Sequence, residues 1–200
     1  QKVIYDETNQ TGVRTVVLTG TRRVGKTTIQ YQMIETLLKR GVNPQRIAFI
    51  SMDHPMLKLS SLNDILECYH ENIWPNQDAF YFFDEIQYAS DWDKWLKTLY
   101  DMQPDTRIVA TGSASPALMK GSTESGAGRW SVIPVPTLSF FEYCALIGVE
   151  VPELGPDIRP TAFSRMAHTE RTEVMLKLEP LQNHFNRYLQ VGGFPELALA

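Results

Sequence analysis

Four short runs along the chain are apolar at nearly every position: RTVVLTG from Arg14, RIAFISMD from Arg46, FYFFDEI from Phe80 and RIVATGS from Arg107. A strand covered on one face alternates apolar with polar residues, whereas a strand covered on both faces loses the alternation. The runs therefore predict a central parallel sheet. Between them the period changes. Ile29, Met33 and Leu37 form a stripe that begins at Lys26 and stops at Lys39-Arg40-Gly41, with Pro44 beyond. Leu62, Ile65, Leu66, Tyr69 and Ile73 make a second helical face that ends before Pro75. A third opens with Ser90 as N-cap and Asp93 three residues on, and it buries Trp92, Trp95, Leu96 and Leu99. Strand and helix alternate, which is the layered α/β pattern.

Beyond Ser113 the texture shifts. SPALMK reads as a short helical piece, Gly121 to Gly128 as a mobile Gly/Ser-rich loop, and WSVIPVPTL as a fifth strand that its prolines hold to an edge. SFFEYCALIG reads as a helix capped by Ser139 and closed at Gly148. VEVPELGPDIRPT reads as a linker, and Leu181, Phe185, Tyr188 and Leu189 as a last helix that ends at Gly192-Gly193.

The chemistry gathers behind the first strand. Gly20, four residues, then Gly25-Lys26-Thr27 complete the phosphate-loop pattern G-x-x-x-x-G-K-[ST], with a strand before it and a helix starting inside it. Glycines let the chain wrap so that successive N–H groups point inward, and the helix adds its positive end toward an anion. Gly20, Thr21, Arg22, Arg23, Val24, Gly25, Lys26, Thr27 and Thr28 are the expected nucleotide-binding residues. Lys26 would reach the β and γ phosphates, and Thr27 would hold Mg²⁺ through its hydroxyl. The bland alternative is a Gly-rich turn with a surface lysine.

FYFFDEIQ narrows the reaction. Its two carboxylates sit at the end of a buried strand, where open α/β sheets bind their ligands. Asp84 suits Mg²⁺, and Glu85 suits a base that orients an attacking water, which favours hydrolysis over kinase chemistry. The fourth strand ends ATGSAS, so Ser113, with Thr111 as the alternate, is placed to sense the γ phosphate. No Asn-Lys-x-Asp stretch for reading guanine occurs, which favours ATP over GTP.

GTRRVGKTT, FFDEIQ with WDKWLKTLYD, ATGSAS, GRW, LSFFEY and GGFPE follow one another in an order and spacing that resembles the prokaryotic AAA-type ATPases (AAA+ superfamily, AAA_14) carrying a C-terminal DUF4143 domain. The resemblance implies an α/β P-loop NTPase core with strand order 5-1-4-3-2. It implies Lys26 and Thr27 as Walker A residues, Asp84 and Glu85 as Walker B, and Ser113 as sensor 1. On this basis residues 1–150 are expected to form an AAA+-like core, and 151–200 a linker with the start of a helical C-terminal region. Members of the group are usually longer, so a C-terminal region contacting a protein partner or DNA is expected to be missing. Arg129, at the family's Gly-Arg position, could neutralise transition-state charge in cis or from a neighbouring subunit of a homo-oligomer, an effect of about 10³ to 10⁵ in rate. Arg187 as a second sensor and Asp53 as a lining residue are weaker candidates.

Composition sets outer limits. With 43% hydrophobic and 21% charged residues the chain is an ordinary folded one. No apolar run approaches the ~20 residues of a membrane span, and QKVIYDETNQTG lacks the signal-peptide pattern, so a cytoplasmic protein without a membrane partner is expected. A net charge of -4 argues against a chain coated with phosphate-binding cations. Cys68 and Cys144 lie in helical patterns and are expected as buried thiols; His54, His70, His168 and His184 lack metal-ligand spacing. Three activities are consistent with the motifs: an ATP-hydrolysing switch or remodelling module, a nucleotide-held scaffold that hydrolyses slowly or only with a partner, and a small-acceptor kinase.

Overall fold

The computed structural model describes residues 14–76, 78–113, 129–154 and 160–200. The helical piece and Gly/Ser loop expected between Ser115 and Gly128 lie outside them, as does part of the expected linker. The chain divides into two compact units, the first ending at Pro136 and the second beginning at Thr137. This division falls earlier than the expected boundary at residue 150.

The first unit is built on five parallel strands in the order β2-β3-β4-β1-β5: β1 Thr15–Gly20, β2 Ile47–Ser51, β3 Phe80–Asp84, β4 Arg107–Ser113 and β5 Trp130–Pro134. Read from the other edge, this is the expected 5-1-4-3-2. Among the described residues three helices flank it: α1 Lys26–Lys39, α2 Leu62–Asn72 and α3 Trp92–Met102. Alternate residues of the apolar strands serve two cores. Val16, Leu18, Phe82 and Val109 pack with Met33 and Leu37 of α1. Val17, Tyr81, Phe83, Ile108 and Ala110 pack with Leu62, Leu66 and Tyr69 of α2 and with Trp92, Leu96 and Leu99 of α3. Both sheet faces are therefore apolar, which is why these strands show no alternation.

Several local expectations are met and others corrected. α2 opens with a reciprocal capping box between Ser61 and Asp64. α3 is capped at Asp91 rather than Ser90; Asp91 adopts a left-handed backbone (φ 53°) and takes Lys94 at 2.7 Å. His70 is half-buried with both ring nitrogens satisfied, 2.6 Å from the buried Tyr81 hydroxyl through Nε2 and 2.7 Å from the Trp74 carbonyl through Nδ1. Cys144 is buried as expected, but Cys68 is exposed because it falls on the outer face of α2.

The second unit holds α4 Phe140–Leu146, α5 Pro160–Phe163, α6 His168–Leu178, α7 Gln182–Val191 and α8 Pro195–Ala198. Ser139 and Glu142 form the box that caps α4, and Phe140, Tyr143, Phe185 and Tyr188 stack between α4 and α7. Helix α6 had no counterpart among the sequence expectations: of its side chains only Val174 is buried, so it presents no apolar stripe to read.

A candidate phosphate site at the C-terminal edge of the sheet

Because the strands are parallel, Gly20, Ser51, Asp84 and Ser113 all end at one edge, with Gly20 in register with Ser113 and Ser51 with Asp84. The loop from Gly20 to α1 covers that edge. Gly20 approaches the β5 side so closely that a Cβ there would run into the Val135 carbonyl. Arg23 (φ 66°) and Gly25 (φ 93°) both adopt the left-handed conformation, the second with no steric penalty, and such residues turn successive N–H groups toward one concave side. Gly25 then caps α1, whose first turn holds Lys26, Thr27 and Thr28. Val24 is buried and pins the loop; Thr21, Arg22, Arg23 and Thr28 are exposed.

Lys26 is only 5% exposed, which is unusual for a lysine. Its Nζ donates to the carbonyls of Gly20 at 3.1 Å and Thr21 at 2.9 Å, so the ammonium bridges back over the loop. Burial pulls its pKa below the usual lysine value, while the charges of Glu85 and Asp84 oppose the drop and Arg22 adds to it.

The carboxylate of Asp84 is the hub of the site. Thr27 Oγ1 lies 3.0 Å from both of its oxygens, and Thr111 Oγ1 donates to Oδ1 at 2.5 Å. The same Thr111 oxygen accepts the Glu85 N–H at 3.0 Å. Glu85 itself takes a left-handed backbone (φ 52°, ψ 48°) that swings it out of the strand line. A hydroxyl and a carboxylate converging at hydrogen-bond distance are the donor pair Mg²⁺ favours when phosphates and water supply its other ligands. Among the described residues no cluster of three His, Cys, Asp or Glu side chains could hold a metal unaided. The residues present therefore fit a metal that arrives with a phosphate.

Of the expected site residues, the structure brings Gly20 to Thr28, Asp84, Glu85 and Ser113 to one edge. Ser113 ends β4 beside Gly20, but Thr111 is the residue that contacts the Asp84 carboxylate. Asp53 reaches the same edge, where Ser51 Oγ donates to it at 2.6 Å. Arg129 does not join them. It precedes β5, whose Trp130 pairs with Thr15, so it stands at the opposite edge, roughly 16 Å of strand from Gly20. There its guanidinium holds Asp101 at 3.1 Å. Arg187 is exposed on α7. Two further contacts escaped the sequence. Arg22 donates to the Tyr88 hydroxyl at 3.1 Å. Gln30, fully buried on α1, donates to the carbonyls of Phe83 at 3.1 Å and Val109 at 3.0 Å, tying the loop helix to the strands that carry Asp84 and Thr111.

Thr111→Val keeps the side-chain volume but removes both of its hydrogen bonds, leaving the Glu85 N–H without its acceptor and Asp84 with Thr27 in place of two hydroxyl partners. The expected cost is about 1–3 kcal/mol. A lowered urea midpoint at unchanged m-value would measure it.

A parallel sheet in this order, a phosphate loop at its first strand and an acidic pair at its third define a P-loop nucleotide-binding fold. The AAA domain family (AAA_14) matches residues 13–144, and the chain belongs to it. Curated relatives include two uncharacterized proteins of Methanocaldococcus jannaschii. MJ1637 is 28% identical over 90% of this chain and 38% of its own length, and MJ1544 is 27% identical over 92% and 36%. An uncharacterized protein of Haemophilus influenzae is 24% identical over 92% of this chain and 40% of its own. The chain thus spans about two fifths of the length of these relatives. Among solved structures, Caenorhabditis elegans PCH-2 is similar with a TM-score of 0.48 and 15% identity, over 67% of this chain and 38% of that one.

Proposed function

We propose that this chain binds Mg²⁺-ATP in the loop Gly20–Thr28 and hydrolyses it, serving as the nucleotide-driven switch or remodelling part of a prokaryotic cytoplasmic ATPase. The observation that carries this is the convergence of Lys26, Thr27, Asp84, Thr111 and Glu85 on one sheet edge, with Lys26 and Asp84 buried. Loop N–H groups and Lys26 would hold the phosphates, and Thr27 with Asp84 would hold Mg²⁺. The metal would supply charge neutralisation at the β and γ oxygens. Glu85 would accept the proton of the attacking water, and Ser113, beside Gly20, would report γ-phosphate occupancy, with Thr111 fixing both acids. The finer kinship, with a C-terminal DUF4143 domain that engages a protein partner or DNA, belongs to the same reading.

One observation favours a second reading, in which the chain holds ATP and turns it over only with a partner. Arg129 is paired with Asp101 at the far edge, which is the arrangement expected if its charge is lent to a neighbouring copy's site rather than to its own. The two readings separate in one experiment: ATP affinity and phosphate release with and without Mg²⁺, over a range of chain concentrations. Mg²⁺-dependent release supports hydrolysis, release that rises more steeply than concentration supports a shared site, and tight binding without release supports the second reading. Failure to bind ATP would end both.

A further inference from the structure

The 3₁₀ turn Ile86–Tyr88 follows Glu85 directly and carries a second hold on it. Gln87 Nε2 donates to Glu85 Oε2, while Gln87 Oε1 is buried with no hydrogen-bond partner among the described residues. Two costs therefore fall on neighbouring residues. Glu85 keeps a left-handed backbone that a non-glycine residue adopts only where its surroundings enforce it. Gln87 loses an acceptor contact that water provides in the unfolded chain. A leucine at that position would fill nearly the same volume with no orphaned acceptor. What the amide adds is a donor fixed on one oxygen of a carboxylate whose own backbone N–H is fixed by Thr111. A side chain with three rotatable bonds is thus held at both ends. Unsatisfied polar atoms and strained backbone gather at working sites, where geometry is kept at the expense of stability.

We propose that Gln87 is a positioning residue for Glu85, restraining the carboxylate so that Oε1 is presented to the attacking water. This rests on the ATPase reading above. In that step the water oxygen bonds to the γ phosphorus as its bond to the bridging oxygen breaks, and ADP departs with the electron pair. The water's proton passes to Glu85 Oε1. Gln87 keeps both of its amide hydrogens throughout.

The test is steady-state turnover of the full chain with Mg²⁺-ATP for wild type, Glu85→Gln, Gln87→Leu and Gln87→Glu, beside ATP affinity and melting temperature. Gln87→Leu should lower kcat about 10- to 100-fold, with KM and ATP affinity nearly unchanged and the melting temperature no lower. Gln87→Glu sets two carboxylates together and should be slower still near pH 8. A merely structural glutamine would move affinity and melting temperature together with kcat. The proposal is overturned if Gln87→Leu retains kcat within about twofold of wild type, or loses it only in step with stability. Wild-type turnover that survives in both Gln87 variants removes this role alone, whereas absence of any turnover sensitive to Glu85→Gln removes the ATPase reading and this role together.

Discussion

Lys26→Ala will lower Mg²⁺-ATP affinity by about 100-fold or more while leaving the fold nearly as stable. An ammonium about 4 Å from a phosphate charge is worth about 4 kcal/mol at an effective dielectric of 20. Each ~1.4 kcal/mol is tenfold in affinity, so 100-fold is the conservative end. The buried position makes that charge hard to replace with counterions from solvent. In the nucleotide-free loop the ammonium is stabilised by the carbonyls of Gly20 and Thr21; its own desolvation, which depresses its pKa, offsets much of that gain. Removing it therefore costs the apo protein little and the complex much. Titration of a fluorescent ATP analogue, together with a urea melt, separates the two effects. Unchanged affinity would mean that the loop is a turn with a buried lysine and not a phosphate site. Lys26→Arg is not expected to rescue binding, because a longer planar guanidinium cannot occupy the same bridge over the loop.

The fold was legible in the sequence where one physical requirement wrote a pattern over several residues. Strands β1 to β4 are covered on both faces, so their apolar runs announced both the sheet and its burial. The phosphate loop was equally readable, because its geometry is made by backbone and needs particular residues at fixed spacing. What stayed hidden depends on contacts between distant segments. The sequence suggested Ile29 for the inner stripe of α1, yet the fully buried face is Lys26, Gln30, Met33 and Leu37. A glutamine is acceptable there only because two strand carbonyls lie within reach. Thr111 did leave a signal: a polar side chain within a strand covered on both faces has to find a partner. Ser113 drew more weight at the strand end, where polarity is common for turn reasons. Arg129 owed its candidacy to its place in the motif order alone. Its location was decided by the parallel register of β5, which sets the start of that strand at the edge away from the loop.

Glu85→Gln should retain ATP affinity within about threefold and lose turnover by about 10²- to 10⁴-fold, the usual weight of a positioned general base. The substitution is close to isosteric, and the features that set the backbone at this position do not involve the carboxylate. Thr111 accepts the Glu85 N–H, and the Tyr88 N–H donates to the Glu85 carbonyl at 3.1 Å. Lys26, Thr27 and Asp84 keep their partners, so the phosphate and metal ligands remain in place. The proton acceptor is removed, and with it one of the two carboxylate charges that support the Lys26 ammonium. Asp84→Asn is the informative contrast, because it alters the group that Thr27 and Thr111 share and should weaken Mg²⁺ dependence and binding together. Equal turnover in wild type and Glu85→Gln would leave water activation to the phosphate itself and strip the strained backbone at Glu85 of its catalytic reason. Turnover lost with binding kept would establish that this backbone conformation places a base at the γ phosphate.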